Sequence, residues 1–415
     1  MTRNLLLRTR PSLRASRPHV PPTPPRHLPP RPYSLASQEA ALASLPPIDP
    51  SALIITRTTT PKPTLPPSDL VFGRTFTDHM LTLEWTSTTG WHPPRILPYQ
   101  NLSLDPATCV FHYAFECFEG LKAYKNRDGA ISLFRPTKNM ARLNNSAARI
   151  CLPTVGDGKG LIELIARFAA MEERFIPAAR GYSLYLRPTL IGTQRTLGVG
   201  PPGSALLFVI ASPVGPYYPT GFKAVSLEAT SYAVRAWPGG VGDKKLGANY
   251  APCIVPQLQA AKRGFHQNLW LFGEEEYVTE VGTMNFFVAV RDRETGRKEL
   301  WTAPLDGTIL EGVTRDSVLA LARERLVPEG WVVREKGFTM GELAAAADEG
   351  RLLEAFGTGT AAVVSPVRRI GWRGRDVDCG LREGEEAGDV AKRMKEWIEG
   401  IQYGDEEHPW SFKIR

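Results

Sequence analysis

The apolar runs of this chain are of strand length. Residues 205–211 read ALLFVIA, and no apolar run approaches the ~18 residues that a membrane-spanning helix requires. A run as short as this fits a strand buried in a sheet. We therefore expect a soluble protein with sheet-based cores, and 415 residues are enough for two domains.

From residue 70 onward, the chain contains both strand patterns and helix patterns. In the clearest helix, apolar side chains recur at helical spacing at Leu161, Leu164, Ile165 and Phe168. The patterns predict strands at 80–85, 130–134, 205–211, 268–272 and 285–290, and helices at 160–174, 252–262, 314–326, 340–349 and 389–399.

The sequence GPPG at 200–203 is a natural linker between two such groups of elements. We therefore predict an α/β protein of the two-domain α+β type. Its small α+β domain would cover 70–202 and its large domain 203–415. Because clefts between domains are common ligand sites, we expect the functional site between them.

The positive charge of the chain is concentrated at its N-terminus. Residues 1–38 contain seven arginines and no acidic residue, which accounts for the whole formal net charge of +7. The remainder is neutral, so a nucleic-acid partner is not expected. An arginine-rich, acid-free leader is typical of a mitochondrial transit peptide, and a disordered proline-rich tail is the alternative. We predict a transit peptide over 1–33, import into the mitochondrial matrix and an extended proline-rich arm over 34–69.

The cysteines give no sign of a disulfide framework or a zinc site. They are odd in number and contain no C-x-x-C pair, which suits a reducing compartment such as the matrix. We predict no metal. The five are Cys109, Cys117, Cys151, Cys253 and Cys379.

Residues 236–251, AWPGGVGDKKLGANYA, combine a glycine-rich loop with two lysines and a tyrosine. A P-loop needs glycine directly before its lysine and serine or threonine directly after it, whereas Asp243 precedes Lys244 and Leu246 follows Lys245. A lysine that condenses with the aldehyde of pyridoxal phosphate fits these residues, and so does a glycine turn with two solvated lysines. The residues alone do not distinguish Lys244 from Lys245.

Other segments could meet the remaining needs of that cofactor. Glu280 lies in the otherwise uncharged stretch 277–285, YVTEVGTMN, and would pair with a pyridinium nitrogen or else be an exposed strand-end residue. The segment LEGVTRDS at 310–317 opens a helix, so the N–H groups of Val313 and Thr314 would face an anion, or Thr314 would be an ordinary N-cap. FGTGTA at 356–361 is a weaker candidate for a second anion site.

Eight ordered segments together resemble the branched-chain-amino-acid aminotransferases, which belong to fold type IV of the pyridoxal enzymes. The resemblance extends over about 70–410 and implies a pyridoxal 5'-phosphate cofactor between two domains. The segments are FGRTFTDHML from 72, FECFEGLKAY from 115, FRPTKNMARL from 134, YLRPTLIGT from 185, GDKKLGANY from 242, TEVGTMN from 279, LEGVTRDS from 310 and FGTGTA from 356.

The resemblance assigns the cofactor contacts. It implies that Lys245 forms the imine, that Tyr250 hydrogen-bonds to the phenolate oxygen and that Glu280 pairs with the ring nitrogen. Without it, Arg142 would be read as an exposed helix arginine. The further cofactor contacts it implies are Arg142, Thr283, Leu310, Val313, Thr314 and Thr360.

The resemblance also implies reversible ping-pong transfer of an amino group between leucine, isoleucine or valine and 2-oxoglutarate. Arg187 would bind the second carboxylate of glutamate, and Thr360 and Ala361 would bind the α-carboxylate. Val199 would reach the site of a neighbouring subunit, which implies a homodimer. The aromatic wall of the substrate pocket would comprise Phe72, Tyr113, Phe118 and Tyr185.

The chain departs from the family pattern at four positions. Animal mitochondrial members carry a redox C-x-x-C where Ala362 and Ser365 stand here, so thiol switching is not expected. Ala248 replaces a usual glycine, and Glu311 stands where many members have proline. The alternatives are another type IV enzyme, such as a D-amino-acid aminotransferase or an aminodeoxychorismate lyase, and a non-catalytic cofactor-binding protein.

Overall fold

A ten-stranded sheet organises the N-terminal half of the computed structural model, which describes residues 45–217 and 221–414. Its strands are β1 (Ile54–Ile55), β2 (His79–Thr86), β3 (Gly90–Trp91), β4 (Arg95–Pro98), β5 (Glu116–Phe118), β6 (Leu121–Lys125), β7 (Ile131–Phe134), β8 (Ser183–Gly192), β9 (Ser204–Val214) and β19 (Ser411–Ile414). Their order is β1-β4-β2-β9-β8-β6-β7-β19, with β3 beside β2 and β5 beside β8.

A nine-stranded sheet follows. Its strands are β10 (Val225–Thr230), β11 (Gln267–Phe272), β12 (Tyr277–Val281), β13 (Met284–Arg291), β14 (Lys298–Thr302), β15 (Val332–Glu335), β16 (Leu352–Gly359), β17 (Val363–Trp372) and β18 (Arg375–Asp378). The order is β12-β11-β10-β17-β16-β13-β14-β15, and β12 also pairs with β13. That extra pairing closes six of the strands into a ring.

Seven α-helices occur in the described residues, and none of these is long and apolar enough to cross a membrane. The helix predicted at 314–326 is α-helical only to Leu321, after which the turn Ala322–Leu326 has π geometry. The helices are α1 (Cys109–Tyr113), α2 (Pro136–Arg149), α3 (Lys159–Met171), α4 (Ile254–Lys262), α5 (Val313–Leu321), α6 (Met340–Asp348) and α7 (Asp389–Gln402).

The two sheets divide after Val214 and not at 202. The segment predicted to begin the large domain forms β9, which pairs with β8 along its whole length and with β2 on its other side. The last strand, β19, also returns to the first sheet and pairs with β7. The chain therefore crosses between the sheets twice, and a boundary at residue 202 is wrong because a local pattern specifies a strand but not its partners.

Amphipathic helices cover the sheets. Leu161, Leu164, Ile165 and Phe168 of α3 are fully buried in the core of the first sheet, as their spacing predicts. In the second sheet, Phe287 of β13 and Phe356 of β16 stack with ring centroids 5.4 Å apart, and α5 and α7 pack over the same core.

Part of the predicted extended arm is fixed to the first sheet. Strand β1 pairs with β4, and the Thr58 N–H donates to Nε2 of the buried His79 over 2.8 Å. His79 in turn contacts Glu172 at 2.5 Å, and Lys62 donates to Asp78 through its backbone N–H over 2.8 Å. The predicted transit peptide and the start of the arm lie outside the described residues.

Candidate active site

A cavity of about 410 Å³ lies between the two sheets. Strands β5 and β8 contribute to one wall, while β12, the start of α5 and the turn after β16 contribute to the other. The sequence-predicted residues that line it are Phe72, Phe118, Arg142, Tyr185, Arg187, Lys245, Tyr250, Glu280, Thr283, Leu310, Val313, Thr314, Thr360 and Ala361.

The loop that carries Lys245 is fixed on both sides. The Lys245 N–H donates to the Ser146 hydroxyl over 2.8 Å, and its carbonyl accepts from the Phe118 N–H at 3.1 Å. Gly247 lets the Glu116 carboxylate approach closely, because a Cβ there would lie 1.7 Å from a carboxylate oxygen of Glu116 and would displace that side chain. These contacts direct the Lys245 side chain into the cavity.

The two lysines have different surroundings. Lys245 Nζ lies 3.2 Å from the Tyr250 hydroxyl, whereas Lys244 Nζ pairs with Asp243 at 2.5 Å and does not line the cavity. Although the cavity leaves Lys245 partly accessible, enclosure by protein, with Arg142 nearby, lowers the pKa of Lys245 to about 8. Burial raises the pKa of Tyr250 to about 12, so its hydroxyl stays protonated and can donate.

Glu280 is buried rather than an exposed strand-end residue. Its Oε1 accepts from Asn285 Nδ2 at 2.9 Å and from the Leu310 N–H at 3.0 Å. Arg235 Nη1 lies 2.8 Å from Oε2, but its N–H is not aligned, so this oxygen has an ion pair and no hydrogen bond. Burial raises the pKa of Glu280, and Arg235 opposes that effect. A cationic N–H donor could fill the open position at Oε2.

Arg142 is also buried, contrary to the interpretation as an exposed helix residue. Nε and Nη2 each donate to Glu119 over 2.8 Å, and Nη1 donates to the Glu311 carbonyl over 3.1 Å. Burial alone would raise the pKa of Glu119, but Arg142 outweighs it and the pKa is lowered. A guanidinium has five N–H donors, so two remain for an anion in the cavity.

The N-terminus of α5 opens into the same cavity. Val313 and Thr314 are its first two residues, and the N-cap is Gly312, without a side-chain capping hydrogen bond. Thr314 is therefore not the N-cap. A Cβ on Gly312 would lie 1.9 Å from Asn285 Oδ1, so only glycine fits. Free backbone N–H groups at a helix start favour an anion.

Aromatic side chains form the opposite wall. The rings of Phe72 and Tyr185 lie 5.0 Å apart, and the Arg187 guanidinium sits 4.7 Å from the ring of Phe118. Arg187 Nη2 donates to the Tyr185 hydroxyl over 3.1 Å, while its buried Nε has no partner. This wall therefore combines apolar surface with a cationic side chain whose buried Nε has no hydrogen-bond partner.

Two predicted substrate residues lie outside the cavity. Tyr113 and Val199 are exposed on the surface, and the Tyr113 hydroxyl donates to the carbonyl of Leu197. Neither side chain reaches the site of its own chain, so any role in a site would be in that of another copy.

Sequence reasoning missed the residues that hold others in place. Glu119, which holds Arg142, lies inside the segment FECFEGLKAY, and Asn285 ends TEVGTMN, so both were visible as polar residues in short motifs. Arg235 directly precedes the glycine-rich loop, and only folding places it beside Glu280. Glu116, a further lining residue, lies in the same segment as Glu119 and was visible in the same way.

Comparison with known proteins agrees with this arrangement. The model of the amino-transferase class IV family matches residues 116–370, so fold and site define a class IV aminotransferase. The chain is 61% identical over 363 residues to the mitochondrial branched-chain-amino-acid aminotransferase of Saccharomyces cerevisiae, covering 88% of this chain and 92% of the relative. The cytosolic enzyme of that yeast is 60% identical over 369 residues, covering 89% and 98%.

A solved structure shares the fold. The T.th. branched-chain amino acid aminotransferase complexed with N-(5'-phosphopyridoxyl)-L-glutamate superimposes with a TM-score of 0.60 at 26% identity, covering 80% of this chain and 98% of that one. This chain belongs to the branched-chain-amino-acid aminotransferase family.

Proposed function

We propose that this protein is a pyridoxal-phosphate-dependent transaminase that exchanges the amino group of leucine, isoleucine or valine with 2-oxoglutarate. The observation that carries the proposal is Lys245, whose amine lies beside the Tyr250 hydroxyl in a cavity shared with the buried Glu280. The family and the names of its relatives support the substrate class.

The residues of the cavity fit the cofactor. Glu280 Oε2 lacks a hydrogen bond, so it could accept one from a protonated ring nitrogen. Tyr250 would hold the phenolate oxygen and Lys245 would bind the aldehyde carbon. The phosphate would lie at the start of α5, with Arg142, Thr314 and Thr360 around it. When bound, the cofactor supplies an electron sink for the substrate α-carbon.

The chain's own residues handle the proton. With its pKa near 8, roughly a tenth of Lys245 is neutral at pH 7, far more than for an ordinary lysine, and the neutral amine can accept a proton from a substrate α-carbon. Glu280 would pair with the ring nitrogen of a bound cofactor, while Tyr250 stays protonated and can donate. Walls from both sheets would enclose the α-carbon of a bound substrate.

The aromatic wall supports an aliphatic side chain as substrate. Burial of a leucine side chain against Phe72, Phe118 and Tyr185 contributes about 25 cal/mol per Å² of apolar surface. Arg187 would bind the second carboxylate of glutamate in the same pocket through Nε, the donor that has no partner. One pocket would then serve both halves of the reaction.

We also propose a homodimer. Leu197 and Val199, on one loop, are 65% and 76% exposed, and Phe111, on the helix whose Tyr113 donates to the Leu197 carbonyl, is 60% exposed. Apolar side chains this exposed support burial against a second copy. Sedimentation of wild type and Val199→Asp tests it: we expect a dimer for wild type and a weaker dimer for the variant, and a monomeric wild type would contradict the proposal.

Mitochondrial import through residues 1–33 is proposed from their seven arginines and the absence of acidic residues. The relatives do not decide the compartment, because mitochondrial and cytosolic forms are about equally similar. A fluorescent reporter fused after residue 40 should enter mitochondria, and a diffuse cytosolic signal would contradict import.

The catalytic proposal is tested with purified residues 34–415 and pyridoxal phosphate. Leucine and 2-oxoglutarate together should yield glutamate, while leucine alone should turn over once. Lys245→Ala should abolish steady turnover, and the matched variant Lys244→Ala should retain it. Turnover that survives Lys245→Ala would rule out this lysine, and absence of turnover in the wild type would rule out the function.

A further inference from the structure

Lys122 lies behind the turn that closes one side of the active-site cavity. It belongs to β6 of the first sheet, and its side chain is buried. Its Nζ donates a 2.9 Å hydrogen bond to the carbonyl oxygen of Ala361, which lies in the turn 360–362 between β16 and β17 of the second sheet. The contact therefore connects the two sheets directly at the site.

The turn separates two cavities. Ala361 and Ala362 line the active-site cavity and also a second cavity of about 140 Å³, whose wall includes Lys122. Because Lys122 lines only the second cavity, the Ala361 carbonyl points away from the active site. In a trans peptide the carbonyl and the following N–H point in opposite directions, so the N–H of Ala362 points toward the active site. Among the described residues this N–H has no acceptor.

The turn has an unfavourable backbone conformation. Val363, the first residue of β17, has φ of 62°, in the left-handed region that β-branched residues avoid. Such a conformation persists only where the surroundings impose it. The hydrogen bond from Lys122 holds the carbonyl of Ala361, two residues before Val363.

Lys122 has no competing hydrogen-bond acceptor. Burial lowers the pKa of Lys122 to about 8, and the carboxylate of Glu399 opposes this. Glu399 is itself paired with Lys395 at 2.5 Å and does not accept from Lys122. Within the described residues, the Ala361 carbonyl is the only acceptor of the Lys122 amine.

We propose that Lys122 is a positioning residue for the substrate carboxylate. Its hydrogen bond fixes the orientation of the peptide between Ala361 and Ala362. The Ala362 N–H then faces the substrate α-carboxylate, next to the backbone of Thr360 and Ala361. A donor on the Ala361 carbonyl also polarises this peptide and strengthens its N–H. The inference rests on the proposed function, because it takes this turn as the site of carboxylate binding.

The test compares two fragments of leucine on the holoenzyme, each followed through the cofactor absorbance. 4-Methylpentanoate keeps the carboxylate and lacks the amine, while 3-methylbutylamine keeps the amine and lacks the carboxylate. Lys122→Met should raise the Kd of the acid about tenfold and leave that of the amine within about twofold. In turnover, the KM values for leucine and 2-oxoglutarate should rise together, while kcat changes much less.

Two further variants separate positioning from folding. Lys125→Met, on the same strand, removes a lysine that pairs with Glu173 at 3.0 Å and lies outside both cavities, so it should change neither Kd. Lys122→Arg keeps a cationic donor, so its affinity for 4-methylpentanoate should stay close to that of the wild type. This variant still tests the proposal if Lys122→Met fails to fold. Unchanged acid binding in Lys122→Met, or equal loss of acid and amine, would overturn the proposal. Failure of the proposed function would instead appear as a wild-type holoenzyme that transfers no amino group.

Discussion

Nη1 of Arg235 lies 2.8 Å from Oε2 of Glu280, and the two side chains are 6% and 3% exposed. Asn285 and the Leu310 N–H occupy the other carboxylate oxygen. Burial raises the pKa of Glu280, the Arg235 guanidinium opposes that effect, and one carboxylate oxygen is left without a hydrogen bond. Arg235 therefore acts on the cofactor site through Glu280, without lining the cavity.

Arg235→Met should lower both activity and stability. Without the guanidinium, burial raises the pKa of Glu280 further and reduces its charged fraction, so kcat should fall by about tenfold or more. The variant also leaves a buried carboxylate unpaired, which costs about 3 kcal/mol in the free energy of unfolding. Urea unfolding of the apoprotein and steady-state kinetics measure the two effects.

Arg263→Met provides the matched control. Arg263 pairs with Glu228 at 2.5 Å, but its side chain is 46% exposed, so its loss should destabilise the protein much less than loss of Arg235 and leave kcat unchanged. If Arg235→Met and Arg263→Met changed kcat and the free energy of unfolding equally, the pair between Arg235 and Glu280 would have no specific role in activity.

Local sequence patterns predict features that depend on neighbouring residues, but not contacts between residues far apart in the chain. The start of α5 and the helical spacing of α3 depend on neighbouring residues, and local patterns predicted both. The partners of β9 and the pairing of Arg235 with Glu280 are made only by folding, so no local pattern could predict them. Lys245 could be chosen over Lys244 only by resemblance, whereas in the structure the cavity itself distinguishes the two side chains.

The reaction of the apoprotein with pyridoxal phosphate should depend on pH through Lys245. Only the neutral amine attacks an aldehyde, and burial lowers the pKa of Lys245 from the ordinary 10.5 to about 8. The rate of cofactor attachment should therefore rise with pH and level off above about 8. Stopped-flow absorbance between pH 6 and 10 measures it, with Lys245→Ala as the blank. A rate that still climbs tenfold between pH 9 and 10 would show an ordinary lysine.

Arg187→Met should affect one half of the reaction selectively. The substitution removes a guanidinium whose Nε has no hydrogen-bond partner in the structure. A hydrogen bond to a charged group contributes about 1.5–3 kcal/mol. Single-turnover reaction with glutamate should slow by roughly 10- to 100-fold, while that with leucine stays within about threefold. Tyr185→Phe, which removes only the hydroxyl that accepts from Arg187, should have a smaller effect on glutamate. Equal losses with both substrates would indicate a general packing role.

Glu354 should make stability depend on pH at a point remote from the active site. Its carboxylate is buried and accepts from the Val390 and Ala391 N–H groups at the start of α7, at 2.8 and 2.9 Å. Burial raises the pKa of Glu354 from 4.5 to about 7, so between these values the folded chain binds more protons than the unfolded chain. The stability that protonation contributes is therefore complete below about pH 4.5 and is lost as pH rises through about 7.

Glu354→Gln removes this titration. The free energy of unfolding of the wild type relative to the variant should be greater at pH 5 than at pH 8, by on the order of 2–3 kcal/mol. Comparing the two proteins cancels the other titrating groups, and any fixed cost of the amide is the same at both pH values. Urea unfolding at the two pH values measures the difference, and a pH-independent difference would mean that Glu354 has the same charge in the folded and unfolded chain.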